Sequence, residues 1–487
     1  MLNLISDRWI PVHRSGGRDV IRPDQIAEDD VLRLGWPRPD LNLACLELLV
    51  GLVYLAAPPR GRSARRNPPT ADALRTAMAP LAPAFELLGD GPRFLQDCAE
   101  LEGDPNPPDM LFIDSAGEST AKKNADLMVR RNRYHGLDLP LAAMAIYTMQ
   151  AFAPSGGAGN RTSMRGGGPM VTMVRPQAQG LWPLVWANVP DGAPLPSDRL
   201  DALPWMRPTR TSRNGEITVP QEDARASPEP EVFFGQPRRF RLVAEGNVVT
   251  GVVQRPWGNN YTEWQHPLTP YYRDNKGQVL PVHPKQGRFG YRNWRGVILQ
   301  SEQRLRAATV ERWISDNRGA QCSLIVGGWV MNNMNPLDFI WSEQPVFALG
   351  EEPEFHAGAM VETAEQAGFG LRVCVRDSRD EGTADLAMEA FFDTTQASFE
   401  RRVATLAGGA APDPHGWLSD LRRAALDEFD RRVIPGLADM GETRRQAAVE
   451  ARAKLLAAFG GRGPFGGKLF DPLGLERPPR KKRKESA

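Results

Sequence analysis

Apolar positions recur in two rhythms along this chain. From Asn42 onward Leu46, Leu49, Val50, Val53 and Tyr54 follow steps of three and four until Pro58-Pro59 closes the pattern. This spacing predicts a helix of about 15 residues. Leu43 to Ala57 is the most apolar stretch, but Glu47 interrupts it and it falls short of the roughly 20 apolar residues that span a bilayer. A buried helix is therefore expected.

β-branched runs bounded by turn residues predict strands over Met170 to Val174, Arg238 to Val243, Val248 to Val253 and Ser323 to Val330, with Glu245-Gly246-Asn247 as a turn. Beyond residue 380 the helical rhythm returns. Met388, Phe392, Thr395, Phe399, Val403 and Leu406 mark one helix, Leu418, Leu421, Ala425 and Phe429 a second, and Glu442 to Phe459 a third that Gly460 stops. Amphipathic helices joined by short breakers such as Gly408 to Pro412 pack as an antiparallel bundle. The expected class is α+β: a loop-rich mixed α/β domain over 1–350, a helical bundle over 351–460, and a tail over 461–487 that ends in the basic run Arg480 to Lys484.

Composition narrows the picture. At 487 residues, 41% hydrophobic and 24% charged, the chain has the make-up of an ordinary globular protein of several domains. Met1 to Trp9 contains no basic stretch followed by a long apolar one, so a cytoplasmic protein is expected. The four cysteines and six histidines are scattered, without the paired spacing of a zinc cage or a metal hydrolase, so no metal and no cofactor are expected.

A net charge of +1 conceals local basic segments. Arg60 to Pro69 carries four arginines in a loop composition, which reads as a solvated surface or a nucleic-acid contact. Lys122, Lys123, Arg130, Arg131 and Arg133 cluster around a single acid, Asp126, which suits phosphate neutralisation. Ser155 to Pro169 is rich in glycine, so its backbone can approach a ligand closely, with Arg161 and Arg165 supplying charge for phosphate. No Gly-Lys-Ser/Thr ends it, which excludes a nucleotide-binding P-loop.

Trp264 to Arg273, followed by Lys276, Lys285, Arg288, Arg292 and Arg295, mixes aromatic and basic residues as base stacking and phosphate contact require. His266 within it reads as a hydrogen-bonded structural residue, because no nucleophile or paired carboxylate accompanies it. Finally, Gly327 to Pro336 runs a strand into an Asn-rich turn. Asn side chains can read base edges there, and Met334 can wedge between base steps.

Taken in order, these segments resemble the CasA family, the large subunit of the type I-E CRISPR surveillance complex Cascade. The likeness starts at Asn3-Leu4-Ile5 and Trp9-Ile10-Pro11-Val12, then continues through the Leu43 helix, Ser155 to Pro169 and Leu203-Pro204-Trp205. Trp264 to Tyr272, a Gly327-Gly328-Trp329 turn and the helical C-terminal region complete it. The resemblance implies a non-enzymatic subunit with a C-terminal four-helix bundle. Such a subunit finds the protospacer-adjacent motif (PAM) on duplex DNA and promotes strand opening, while the guide RNA reads the target.

By position, the family's glycine loop falls on Gly156, Gly157, Ala158, Gly159 and Asn160, beside Arg161. Its lysine finger falls on Lys276, with Arg273 as rival, and its wedge on Asn333 and Met334. Some members carry Gln where this chain has Met334, so a base preference resting on that amide is not expected here. The basic segment containing Lys122, Lys123, Arg130, Arg131 and Arg133 corresponds to the loop that docks towards the guide RNA 5′ handle and neighbouring subunits. Implied partners are duplex target DNA, the guide RNA, the backbone, handle-capping and small Cascade subunits, and a separate helicase-nuclease. The competing classes are an assembly scaffold that does not read a PAM, and a DNA-processing nuclease.

Overall fold

A computed structural model describes residues 1–115, 133–157, 159–221, 228–301, 303–317 and 320–479. It divides into two compact units, Met1–Gln286 with Arg306–Val346, and Gly287–Leu305 with Phe347–Ala487. The first unit is mixed α/β and the second is mainly helical. In addition, residues 287–305, which lie within the expected first domain, group with the helices.

In the first unit the expected helix spans Pro39–Ala56, and nearly every residue in it is buried. By length and composition it could cross a membrane, but its apolar surface is covered by the protein itself. It packs against a second apolar helix, Leu139–Phe152, whose N-cap Asp138 accepts a hydrogen bond from the Leu141 backbone N–H at 2.8 Å. Both helices are apolar all round, so periodicity says little about the second.

A three-stranded antiparallel sheet lies against the first helix, with Cys322–Asn332 between Val171–Pro176 and Asn335–Val346. Gly327 provides the room: a Cβ there would sit 2.7 Å from Leu43 Cδ2. The strands expected around the Gly246 turn are Arg239–Glu245 and Val248–Arg255, with Gly246 at φ +62°. A third antiparallel group, Ile10–Arg14, Gly17–Ile21 and Val31–Leu34, opens the chain.

The second unit contains four long helices, Glu351–Ser378, Glu381–Ala407, Pro414–Val433 and Glu442–Phe459, followed by a short one, Gly463–Phe470, inside the stretch read as tail. Three of the four follow from periodicity. The first is obscured because its buried face intersperses Met360, Val361, Leu371 and Val375 with small residues such as Ala364, Ala367 and Gly368, which lower the contrast in hydropathy. A Cβ on Gly368 would meet the Phe392 ring at 2.9 Å, so the absent side chain is what lets these helices close. Trp417 fills the core and donates its indole N–H to the Met360 carbonyl at 3.0 Å. Residues 287–305 complete that core. Tyr291 stacks on Phe399 at 4.4 Å and exchanges a hydrogen bond with Thr395 at 2.8 Å.

Candidate nucleic-acid interface

The glycine segment leaves the Leu139–Phe152 helix as an exposed lobe on a closed neck. Ser163 N–H donates to the Ala153 carbonyl at 2.9 Å and Gly168 N–H to Phe152 at 3.1 Å, so the two limbs are tied together at the base. Above the neck, Asn160 N–H reaches the Gly157 carbonyl at 2.8 Å. Gly157 stands at φ +65° with nothing near the place a Cβ would take. Gly156 and Gly157 are exposed. Gly159 lies against the Trp257 ring, 2.7 Å from a built Cβ, and its carbonyl accepts the Trp257 N–H at 2.9 Å. Asn160 accepts from Gln254 Nε2 at 2.8 Å.

The two arginines of this segment have separate fates. Arg161 lies over Trp257, 5.2 Å from the ring centre, and donates to Ser212 Oγ at 2.9 Å, keeping its charge at the base of the lobe. Arg165 does not face a phosphate, which corrects the expectation from sequence. It turns into the core and forms two bonds to Glu47, at 2.6 and 3.0 Å, with both side chains almost wholly buried. It also donates to Thr269 Oγ1 and the Ala151 carbonyl. Glu47, the charge that interrupts the apolar helix, is thus the partner that anchors the glycine segment.

Burial pushes the Glu47 carboxyl upward while Arg165 pulls it down. His266 Nε2 lies 3.5 Å from the same carboxylate, and its Nδ1 accepts from the Leu268 N–H at 3.2 Å. Burial and the Arg165 charge lower its pKa well below the ordinary value, so His266 is a neutral core residue, as expected.

The Gly-Gly-Trp turn is also corrected. Gly327, Gly328 and Trp329 lie inside the Cys322–Asn332 strand, with Trp329 packed on Phe339 at 5.3 Å. The reversal comes four residues after Trp329, at Asn333 and Met334 with φ +48° and +63°. Positive φ at both central residues is the pattern of a type I′ hairpin, where Asn-Gly is the usual pair. Met at the second position is strained, and its side chain is 41% exposed. Its sulfur lies 2.7 Å from a Cβ built on Gly167, so the hairpin tip rests on the glycine segment.

Lys276 and Arg273 belong to a second hairpin, Tyr271–Arg273 with Val279–Pro281. Asp274 shapes its turn by accepting from the backbone N–H groups of Lys276 and Gln278 at 2.9 and 2.8 Å. Both basic side chains are exposed, and neither forms a side-chain hydrogen bond or ion pair among the described residues. The chain that follows returns to the glycine segment, where Met170 N–H donates to the Val282 carbonyl at 3.0 Å. Arg288, Arg292 and Arg295, grouped with Lys276 in sequence, instead pair with Asp393, Glu389 and the Glu362 and Glu365 carboxylates of the helical unit. They brace the bundle.

Arg133 makes a bidentate pair with Asp114 at 2.9 and 3.0 Å and lies over Phe112 and Tyr134. Burial alone would raise the Asp114 pKa, but hydrogen bonds from Arg133 and Arg38 outweigh it and hold the carboxyl down at about 2. Lys122, Lys123, Arg130, Arg131 and Ala158 lie outside the described residues. Among the described residues no group of His, Cys, Asp and Glu is arranged to hold a metal. Trp257 and Arg238, which pack under the lobe, escaped the sequence reading because nothing local links them to residue 156.

An α/β body whose exposed glycine lobe adjoins an apolar hairpin tip, followed by a bundle of long helices, defines an architecture that whole-chain comparison places. Residues 3–427 match the family described as CRISPR-associated protein Cse1, and the chain belongs to that family. The CasA resemblance read from the sequence is the same family. The fold is similar to Thermus thermophilus CasA (Cse1), at 19% identity and TM-score 0.71 over 93% of this chain and 99% of that one. Thermobifida fusca Cse1 is similar at 17% identity and TM-score 0.68, covering 94% and 97%. So is a chain of a CRISPR RNA-guided surveillance complex, at 14% identity and TM-score 0.70, covering 93% and 99%.

Proposed function

We propose that this chain is the DNA-reading large subunit of an RNA-guided CRISPR surveillance complex in the cytoplasm, and that it recognises the PAM without cleaving DNA. The exposed lobe at Gly156 to Asn160, with Arg161 behind it, approaches the minor groove, where the backbone can come close and base pairs are only coarsely distinguished. Lys276, assisted by Arg273, neutralises phosphate from the neighbouring hairpin. Met334 inserts between base steps at the edge of the PAM and helps nucleate the R-loop. Its thioether supplies shape and apolar contact without the hydrogen bonds of an amide, so strand opening here depends on unstacking alone.

The observation that supports this reading is the contact of the strained, part-exposed Met334 tip with Gly167, in the neck from which the open glycine lobe projects. The guide RNA 5′ handle and the neighbouring subunits are the partners of Lys122, Lys123, Arg130 and Arg131; Arg133, at the end of the same basic segment, is held by Asp114 and is not counted among these contacts. A separate helicase-nuclease destroys the opened DNA. The test is binding of the assembled guide complex, with and without this chain, to target duplexes that differ only in the PAM, at fixed salt. Adding the chain should restore PAM-dependent binding and strand opening. Restored assembly without PAM dependence would instead make it a scaffold, and metal-dependent cleavage by the purified chain would make it a nuclease.

A further inference from the structure

Beneath the exposed lobe the fold leaves a positive charge without a carboxylate. Three arginines are buried among the described residues: Arg165, Arg238 and Arg306. Arg165 is paired with Glu47 and Arg306 with Glu311. Arg238, only 6% exposed, has no carboxylate within ion-pair distance among the described residues. One terminal nitrogen donates to the Pro154 carbonyl, while Nε–H has no acceptor among the described residues. The other terminal nitrogen, Nη1, lies 2.7 Å from where a Cβ on Gly156 would stand.

A second poorly matched arginine, Arg312, offers a contrast. Its terminal nitrogens donate to the Ala187 and Val189 carbonyls, at 2.6 and 2.9 Å, at the end of the Leu181–Ala187 helix. That is an ordinary place for a cation. Arg238 likewise lies near a helix end, since Pro154 follows Leu139–Phe152, but a helix terminus offers only about half an elementary charge, and its Nε–H still lacks an acceptor among the described residues. Burying a cation this way is costly unless an anion arrives to share the site. Exposed Gly156 lies against the guanidinium, with Nη1 and Nη2 2.7 and 3.1 Å from where its Cβ would stand, and it has no side chain to hold an anion away.

We propose that Arg238 is the charged floor of a phosphate site on the glycine lobe, and that a backbone phosphate of the target duplex seated on Gly156 and Gly157 is its missing counter-ion. This rests on the reading of the chain as a DNA-reading subunit. Burial lowers the Arg238 pKa to about 10, which leaves the guanidinium charged at neutral pH. Glycine at 156 serves two ends: it admits the guanidinium from below and the phosphate from above.

The experiment measures binding of the assembled complex to a PAM-bearing duplex and to a nonspecific duplex across a salt series. It compares the wild type with Arg238→Gln, which keeps a donor for Pro154 but no charge, and with Arg238→Lys, which keeps the charge. The expected result is that Arg238→Gln lowers the slope of log K against log salt by about 0.9, one phosphate's worth, while Arg238→Lys keeps the wild-type slope. If Arg238→Gln does not fold, Arg238→Met removes both the charge and its burial cost and gives the same comparison.

A wild-type slope in the charge-free variant, with PAM preference intact, would overturn the role of Arg238 and leave the proposed function standing. A wild type that shows no PAM preference would overturn the proposed function, and the phosphate assigned to Arg238 with it.

Discussion

The glycine segment contains two regions of similar composition and opposite physical purpose. Gly156 and Gly157 stand exposed in the lobe, where a Cβ at 157 would meet nothing. Gly167 and Gly168 are buried in the neck, where added side chains would collide with Met334 and with the Trp329 carbonyl. Glycine in the lobe keeps a surface open to a ligand. In the neck it lets three pieces of chain close on one another. A run of glycines therefore does not say which of its members serve binding and which serve packing.

The contrast can be broken or sharpened by substitution. The largest effect is expected from Glu47→Ala, which removes the partner of the arginine that anchors the neck and leaves a buried charge alone. Unfolding in denaturant should show a loss of about 3–5 kcal/mol. A change below about 1 kcal/mol would mean that Arg165 finds another partner and that the pair is not the anchor.

Gly168→Ala follows, because φ is +65° and the new Cβ would lie 2.6 Å from the Trp329 carbonyl oxygen. About 2–3 kcal/mol of destabilisation is expected, against about 1 kcal/mol for Gly157→Ala, which has the same φ but open space. Equal costs at the two sites would erase the distinction between neck and lobe.

Asp114 tests whether Arg133 is committed to the fold. Because the folded carboxyl titrates at about 2, below its ordinary 3.8, its stabilisation is present above about pH 4 and fades as pH falls through 2. The stability difference between wild type and Asp114→Asn, on the order of 1–2 kcal/mol, should be flat near neutral pH and shrink in that acid window. A difference that does not change with pH would assign the effect to packing.

Met334→Gly relieves a strained position and should raise stability by up to about 1 kcal/mol while weakening strand opening by the complex. A rise in stability with opening unchanged would remove the wedge from the mechanism. Smallest of all, Lys276→Ala should leave the unfolding free energy nearly unchanged, within about 0.5 kcal/mol, while reducing PAM-dependent binding.

Much of this architecture is legible without coordinates. Helical spacing from Leu46 to Tyr54 and from Met388 to Leu406, and strands on either side of Gly246, all lie where periodicity places them. The turn at Asn333-Met334 is legible from its asparagines, although the positive φ of Met334 is not a local preference. Illegible were the Glu351–Ser378 helix, whose interspersed small contact residues lower the contrast, and the Asn335–Val346 strand, whose exposed edge mixes Leu337 and Trp341 with polar neighbours. The basic clusters misled most, because spacing along the chain does not reveal that Arg165 faces Glu47, 118 residues away, or that Arg292 faces Glu389, 97 residues away.

The sequence by itself determined the fold class and the position of the glycine lobe, which depend on apolar periodicity and on where glycines cluster, and the resemblance of its segments in order pointed to the family. Only the tertiary structure decided which charges are free. An arginine's role depends on whether burial has brought a carboxylate to it, and that is a question of long-range packing. The same residue type thus becomes a core strut at 165, a brace at 292 and an unmatched cation at 238.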